Sequence, residues 1–388
     1  MTPRRESLAR RRAAMGYTQE SFATRVKVDR SSVARWERGT QSPQPWNQAD
    51  VAKALAISPE VLEQYLSEKP TSTSLNGDHV SYALQRPTGV DLVAVAQLRQ
   101  EVQELDARYD RAPSIPLLAE AGPTFGQIAF LVREAPYGRV RRELKAVEAE
   151  AATLMGQLVW DASQRHDQHS ARTYFDQAAT AARELGDVTA EGHAMLRASY
   201  LALYGDHDPH AGLVLTRHVA DTTSATSAVL TGLALLHSAE AHAMLGDERS
   251  CELALAEAES RFGKVTENDP AYHIFSGGQF ARLMGSCYLF LGHHRRAQQI
   301  LEKVARATRR SSKSRAIILG NLSLAQVRQG EPDAAAAVLH EAIDLVETTR
   351  GGGGMNIVFD AARELRRWRA EPFVQDVHDR LLSLMTAA

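Results

Sequence analysis

The feature that most constrains the fold of this chain is a helical hairpin pattern that recurs through its second half. In each copy, a helix carrying small and aromatic residues leads into a turn, and an alanine stands shortly after that turn. Four copies have a glycine at the turn, at Gly205, Gly246, Gly292 and Gly330, spaced by 41, 46 and 38 residues. Hairpins that recur in this way bury their apolar faces by stacking on their neighbours. The pattern therefore predicts a helical solenoid.

The copies themselves show what is shared between the hairpins. They read "LALYGDHDPHAGLVL", "HAMLGDERSCELAL", "LFLGHHRRAQQIL" and "VRQGEPDAAAAVL", and "DASQRHDQHSARTYF" is a fifth copy without the glycine. The alanines after the turns are Ala171, Ala211, Ala297 and Ala335. These segments resemble tetratricopeptide repeats, with a looser period than the roughly 34 residues typical of that family. The resemblance implies an all-α array in which the first helix of each hairpin lines a concave face.

The length of 388 residues predicts more than one domain, since about 150 residues is usual for each. Helical patterning stops after Tyr65, where the stretch "SEKPTSTSLNGDHVSYALQRPTG" is rich in Ser, Thr, Pro and Gly. Helical periodicity then resumes and continues nearly to the end, almost without β-branched runs of strand length. We therefore predict a helical head at 1–66, a linker at 67–90 and an α-solenoid at 91–388.

The head has the local signals of five short helices. The first is expected at Ser7–Met15, Thr18 is placed to cap the second, and Asp29 is placed to cap the third. The third helix is expected to bury Val33 and Trp36. The fourth and fifth helices are predicted to begin at Pro45 or Trp46 and at Ser58. Only about three residues separate the second and third helices, which is the short turn of a helix-turn-helix.

The charge of the head points to a negatively charged partner. The whole chain has a formal net charge of −2, yet residues 1–45 contain ten Lys/Arg against four Asp/Glu. A basic head on an otherwise acidic chain favours contact with nucleic acid.

The stretches "GYTQESFATRVKVDRSSVARWERGTQSPQ" and "ALAISPEVLEQYL" closely resemble the Cro/phage-repressor, or XRE, helix-turn-helix family. The resemblance covers about a sixth of the chain and implies that Gln19 opens the second helix against the DNA backbone. It also implies that Arg30, Ser31 and Arg35 face base edges, where arginine can bind guanine O6 and N7 with both arms. The residues implied to lie near DNA phosphates are Ser32, Arg38 and Thr40.

Three further residues of the head are assigned to the fold by the same resemblance. Arg12 and Glu37 stand where the family places a structural ion pair. Arg11 stands where the family has an apolar residue, so different packing of the first helix is expected. We therefore interpret Glu37 as structural and not as a DNA contact.

Other polar motifs are better explained by turns than by chemistry. The stretches "RHDQH" and "DHDPH" contain potential metal ligands, but both fall at predicted turns between helices. The run Gly351–Gly354 lacks the Lys-Ser/Thr of a phosphate loop and is predicted to be a flexible hinge. No catalytic signature is present, so we expect no enzyme activity, no metal and no cofactor.

The sequence favours a cytoplasmic protein without a membrane segment. It has only two cysteines, Cys251 and Cys287, and it lacks a signal-like segment and an uninterrupted apolar span.

A DNA-binding head on a repeat-built tail is similar to the peptide-responsive bacterial regulators of the Rgg and PlcR kind and to many actinobacterial regulators. The resemblance implies a homodimer on operator DNA, with a signalling peptide, small molecule or protein in the concave groove. An alternative is an adaptor whose repeats sequester a protein partner. The candidate groove residues are Trp160, Tyr200, Tyr204, Gln279, Arg282, Tyr288, Asn321 and Gln326.

Overall fold

The computed structural model describes residues 6–39, 41–67, 75–308 and 311–386, and these contain helices and no strand. The predicted all-α class is confirmed. The contacts divide the chain into two compact units, Met1–Arg86 and Pro87–Ala388. Each unit has its own apolar core, which allows each to be described by itself.

The smaller unit is a bundle of short helices. These are α1 (Glu6–Ala14), α2 (Gln19–Arg25), α3 (Arg30–Glu37), α4 (Pro45–Leu55), α5 (Pro59–Ser67) and α6 (Leu75–Gln85). Thr18 caps α2 through a reciprocal capping box with Ser21. Asp29 occupies the N-cap position of α3 without a side-chain hydrogen bond to the helix. The core of the bundle is formed by Leu8, Phe22, Val26, Val33, Trp36, Val51, Leu55 and Leu62.

Helix α6 lies inside the segment that the sequence predicts to be a linker. Its Val80 and Ala83 are buried and stand three residues apart, on one helical face. Two small apolar anchors among Ser, Thr and Gly residues give a weak periodic signal. The segment 67–90 is therefore not a linker without secondary structure.

The larger unit is an array of antiparallel helical hairpins. Its helices are α7 (Leu92–Arg108), α8 (Ser114–Glu134), α9 (Arg139–Ala162), α10 (Gln168–Leu185), α11 (Val188–Tyr200), α12 (Pro209–Thr223), α13 (Ala228–Met244), α14 (Glu248–Phe262), α15 (Gln279–Phe290), α16 (His294–Ala307), α17 (Lys313–Arg328), α18 (Pro332–Thr349), α19 (Gly352–Leu365) and α20 (Pro372–Thr386). Consecutive helices pack on each other, as the repeat pattern predicts. One described helix, α8, is long and apolar enough by length and composition to cross a membrane, and its Leu117, Ile128 and Leu131 are fully buried in the unit.

Three of the four predicted turn glycines have the left-handed backbone that favours glycine at a helix end. Their φ angles are +75° at Gly246, +81° at Gly292 and +79° at Gly330. Gly205 is different, because α11 continues as a π-helical turn through Leu201–Gly205, and His207 takes the positive φ of 53°.

The small residue at the close helix contact after this turn also differs from the predicted one. Ala171, Ala297 and Ala335 are fully buried, as small residues at a close helix contact should be, but Ala211 is only half-buried. Its place is taken by Gly212, where an added Cβ would overlap the side chain of Leu203.

The array of hairpins returns to its start. The side chain of Lys313, at the N-terminus of α17, forms an ion pair with Asp161 of α9, with Nζ and Oδ2 2.9 Å apart. Its backbone N–H donates to the carbonyl of Asp110, which lies between α7 and α8, at 2.8 Å. The backbone N–H of Gly352 in α19 donates to Asp161 Oδ1 at 2.8 Å. We call this set of interactions the closure contact, and it joins residues that lie between 152 and 203 positions apart in the chain.

The prediction of a flexible hinge at Gly351–Gly354 is wrong. The four glycines are buried, and α19 begins at Gly352. A Cβ at Gly352 would lie 2.9 Å from the carbonyl oxygen of Asp161, and one at Gly353 would overlap the guanidinium of Arg165. The glycines are therefore packing residues that let α19 approach the C-terminal end of α9.

Candidate functional sites

Helix α3 presents an exposed polar face on one side and a buried apolar face on the other. Val33 and Trp36 are buried in the core of the bundle, while Arg30, Ser31 and Arg35 are exposed. This alternation follows from the helical period, since residues three apart share a face. The structure therefore brings together on one accessible face the three residues that the sequence assigns to base edges.

The side chain of Arg35 lies along α3. Its Nε donates to the carbonyl of Ser31 at 3.2 Å, and its Nη2 lies 3.4 Å from the hydroxyls of both Ser31 and Ser32. Ser32 is half-buried beside it. These contacts hold a flexible guanidinium close to the first turn of the helix.

The residues assigned to phosphates follow at the end of α3. Arg38 is exposed at the C-cap position, and its Nε donates to the carbonyl of Ala34 at 3.0 Å. Thr40 lies outside the described residues.

Glu37 connects three helices of the bundle. It is buried, and its Oε1 lies 2.5 Å from Nε of Arg12 in α1, which confirms the predicted ion pair. Its Oε2 accepts a hydrogen bond from Nε2 of Gln19 at 2.6 Å. Arg12 also donates to the carbonyl of Tyr17. The side chain of Gln19 therefore ties the start of α2 to α3, a positioning contact that the sequence did not indicate.

Arg11 has a structural role that explains its departure from the family pattern. Its Nε donates to the carbonyl of Leu55 at 2.9 Å and its Nη2 to the carbonyl of Ala56 at 3.0 Å. Carbonyl groups at the C-terminus of a helix have no partner within the helix and carry partial negative charge. The guanidinium therefore caps α4, which an apolar side chain could not do.

A cavity of about 1600 Å³ lies within the larger unit. We call it the repeat cavity. It is lined chiefly by the first helices of successive hairpins, including α9, α11, α13, α15, α17 and α19. The predicted groove residues that line it are Trp160, Tyr200, Tyr204, Gln279, Arg282 and Asn321.

Two of the predicted groove residues do not line the repeat cavity. Tyr288 is 3% exposed and packs in the core, with the guanidinium of Arg296 3.8 Å from its ring centroid. Gln326 is buried, and its Oε1 has no hydrogen-bond partner among the described residues. Both lie on the correct helices, α15 and α17, but on faces that pack against neighbouring helices.

The cavity wall also contains a polar network that was not predicted from the sequence. The hydroxyl of Tyr204 donates to Glu240 and lies 2.7 Å from Nδ1 of His237, and Ser286 donates to Glu240 at 2.5 Å. Burial lowers the pKa of His237, so its ring is neutral near pH 7. The signal that could have found this network is the interruption of the most apolar run, "AVLTGLALLHSAEAHAML", by His237 and Glu240.

Two arginines that line the repeat cavity are also absent from the predicted groove residues. Arg165 follows α9, and its guanidinium lies 4.5 Å from the ring centroid of Trp160 and 5.9 Å from that of Tyr204. Arg197 of α11 lies 5.4 Å from the ring centroid of Tyr200. Both arginines line the repeat cavity. Arg165 stands in the motif "RHDQH", which the sequence places at a turn between helices.

The two motifs considered as metal ligands lie at turns. Asp167 caps α10 by accepting from the N–H of Ser170, and Asp208 caps α12 by accepting from the N–H groups of His210 and Ala211. Within the described residues, no group of three or more His, Cys, Asp or Glu side chains could hold a metal ion.

Comparison with known proteins identifies the smaller unit. Residues 8–62 match the family described as Helix-turn-helix. Two similar solved structures are Bacillus thuringiensis PlcR in complex with the peptide PapR7 and DNA (12% identity over 85% of this chain and 99% of that chain, TM-score 0.38) and a signal transduction ATPase with numerous domains and a tetratricopeptide repeat sensor from Pyrococcus horikoshii (14% identity over 95% and 53%, TM-score 0.43). No curated protein sequence matches the chain. The family match spans α1 to α5.

Proposed function

We propose, from the membership of residues 8–62 in the helix-turn-helix family, that this chain is a sequence-specific transcription regulator that binds double-stranded operator DNA. The observation that carries the proposal is the exposed face of α3, where Arg30, Ser31 and Arg35 stand opposite the buried Val33 and Trp36. An α-helix fits the major groove, and its N-terminal residues reach base edges there. The Glu37 network fixes α3 relative to α1 and α2, which gives this face a defined orientation.

The proposed DNA-binding form is a homodimer. One helix-turn-helix head contacts too few base pairs for tight, specific binding, and symmetric dimers bind two half-sites separated by a helical turn. We assign dimerisation and sensing to the larger unit, and we propose that the protein acts in the cytoplasm without an enzyme activity of its own.

The repeat cavity supports control by a ligand. Its volume of about 1600 Å³ exceeds the roughly 300–1,000 Å³ of common small-molecule sites, so it has room for a small molecule or a short peptide. A ligand can change DNA affinity only by binding the competent and incompetent states of the protein unequally. The proposed regulator therefore has at least two states that differ in this cavity.

The direct test selects DNA fragments from a random pool with the purified full chain and with Arg35→Ala. Loss of a two-armed base contact should cost roughly 1–3 kcal/mol on the preferred sequence and much less on random DNA. Lys53→Ala is the matched control, because it removes one exposed positive charge from α4. Selection of no preferred sequence by the native chain would favour the adaptor alternative. Full discrimination by Arg35→Ala would show that α3 does not read the bases as proposed.

A further inference from the structure

Three arginines from different parts of the array converge on one side of the repeat cavity. Arg165 follows α9, Arg197 lies on α11 and Arg282 lies on α15, and all three line the cavity. Burial raises the pKa of Tyr109, and the charges of Arg165 and Arg197 oppose that rise. Burial also raises the pKa of Tyr200, and there Arg197 and Arg282 oppose it. The three positive charges thus act on neighbouring groups, and we call them the arginine wall.

The donors of the arginine wall have few acceptors. Nε of Arg165 is buried and has no hydrogen-bond partner among the described residues. The side chain of Arg282 is half-buried, and within the described part of the chain no acceptor or carboxylate pairs with it. Nε of Arg197 donates to Nε2 of His193 at 3.3 Å. Burial, followed by the charges of Arg197 and His273, lowers the pKa of His193 well below its ordinary value, so this partner is uncharged near pH 7.

The carboxylates nearby are already engaged by other groups. Glu240 accepts hydrogen bonds from Tyr204 and Ser286. Asp161 pairs with Lys313 in the closure contact. Positive charge that is partly withdrawn from water and lacks a partner is costly, and an anion that supplies acceptors removes that cost. The wall is therefore complementary to a negatively charged group.

We propose that the repeat cavity binds a small aromatic acid, whose carboxylate or phosphate group pairs with Arg165, Arg197 and Arg282 and whose ring packs on the aromatic side chains between them. Trp160 and Tyr204 already hold the guanidinium of Arg165 through their ring faces. Guanidinium groups bind carboxylates and phosphates with two parallel hydrogen bonds, which fixes the orientation of the acid. The inference rests on the proposed ligand response and names the class of ligand.

The test measures binding of two fluorescent probes to the full chain without DNA. The probes are 1-anilinonaphthalene-8-sulfonate, which is an aromatic anion, and N-phenyl-1-naphthylamine, which has the same rings without the sulfonate. Arg282→Gln should weaken binding of the anionic probe roughly tenfold to a hundredfold, as loss of a charge-assisted hydrogen bond does. It should leave the affinity for the neutral probe within about twofold of the native value. Arg282→Lys keeps the positive charge but cannot form the two parallel hydrogen bonds, so it should recover only part of the affinity lost in Arg282→Gln. Arg249→Gln, on the outer helix α14, is the matched control and should change neither probe.

Arg197→Gln provides a second variant of the wall, and circular dichroism shows for each variant whether the helices are intact. The proposal would be overturned if Arg282→Gln and Arg197→Gln weakened binding of the neutral probe as much as binding of the anionic probe. It would also be overturned if neither variant changed the binding of either probe. Displacement of the bound anion by 1-naphthoate or by 1-naphthyl phosphate distinguishes a carboxylate ligand from a phosphate ligand, and failure of both to displace it would also refute the site. If the anionic probe binds through the arginines but leaves the affinity for operator DNA unchanged, the proposed anion site is supported. The proposed control of DNA binding by a ligand is then refuted.

Discussion

Replacement of Lys313 by methionine tests the closure contact directly. The ammonium group lies 2.9 Å from Oδ2 of Asp161, donates to the hydroxyl of Ser114 at 2.5 Å and lies 4.3 Å from the ring centroid of Tyr109. The side chains of Lys313 and Asp161 are 5% and 3% exposed. Methionine keeps most of the apolar stem, so the main change is the loss of the positive charge.

The expected loss of stability follows from the carboxylate that remains. Breaking a buried ion pair by removing one partner costs about 3–5 kcal/mol, because the other charge stays buried. Asp161 would keep hydrogen bonds from Ser114 and from the backbone N–H of Gly352. We therefore expect a loss near the lower end, about 3 kcal/mol, in the free energy of unfolding of the larger unit.

Urea unfolding followed by circular dichroism measures this loss. Lys303→Met is the matched control, since Lys303 is exposed on α16, and it should change stability by less than about 0.5 kcal/mol. Adding Asp161→Asn to Lys313→Met should recover part of the loss, because the uncompensated charge is then gone. A Lys313→Met variant as stable as the native chain would show that the closure contact does not hold the array together.

Three further results are expected. DNA affinity should fall steeply with salt, with a log-log slope of about −0.9 for each phosphate contacted, whereas equal affinity at low and physiological salt would contradict the phosphate contacts assigned to Arg38. Arg12→Ala should lower the melting temperature of the smaller unit in calorimetry, because Glu37 would stay buried without its cation, and an unchanged melting temperature would mean that Glu37 is stabilised by other groups. Burial, followed by the charges of Arg197 and His273, lowers the pKa of His193 below its ordinary value of 6.5, so the unfolded chain binds a proton first as the pH falls. Stability should therefore decrease below about pH 6.5, and His193→Gln should reduce the slope in denaturation curves taken across that range; a slope unaffected by the substitution would exclude this residue as the cause.

The head could be predicted in detail because its signals are local. Thr18 and Pro45 mark helix starts through capping and a fixed φ, and the structure begins α2 and α4 at the expected places. Val33 and Trp36 are buried as the helical period requires. The interaction of Gln19 with Glu37 could not be predicted in the same way, because it depends on the angle between α2 and α3.

The sequence predicts that the larger unit is an array of hairpins, but it does not predict that late hairpins of the array return to contact the first ones. Each hairpin has its own sequence pattern, whereas the meeting of Asp161 with Lys313 depends on the rotation accumulated over all the hairpins between them. The hinge predicted at Gly351–Gly354 is wrong for the same reason. Four glycines in a row favour flexibility when only their neighbours in sequence are considered, and the partner that requires them, the end of α9, is distant in the chain.

Closure also limits how this protein can change its length. An open array can gain or lose a terminal hairpin at the cost of a single interface. Here one inserted hairpin would carry Lys313 past Asp161 and Gly352 past the end of α9, and would separate every group of the closure contact at once. Length variation between relatives of this chain should therefore be confined to exposed turns between helices, while the number of hairpins between α9 and α19 stays fixed.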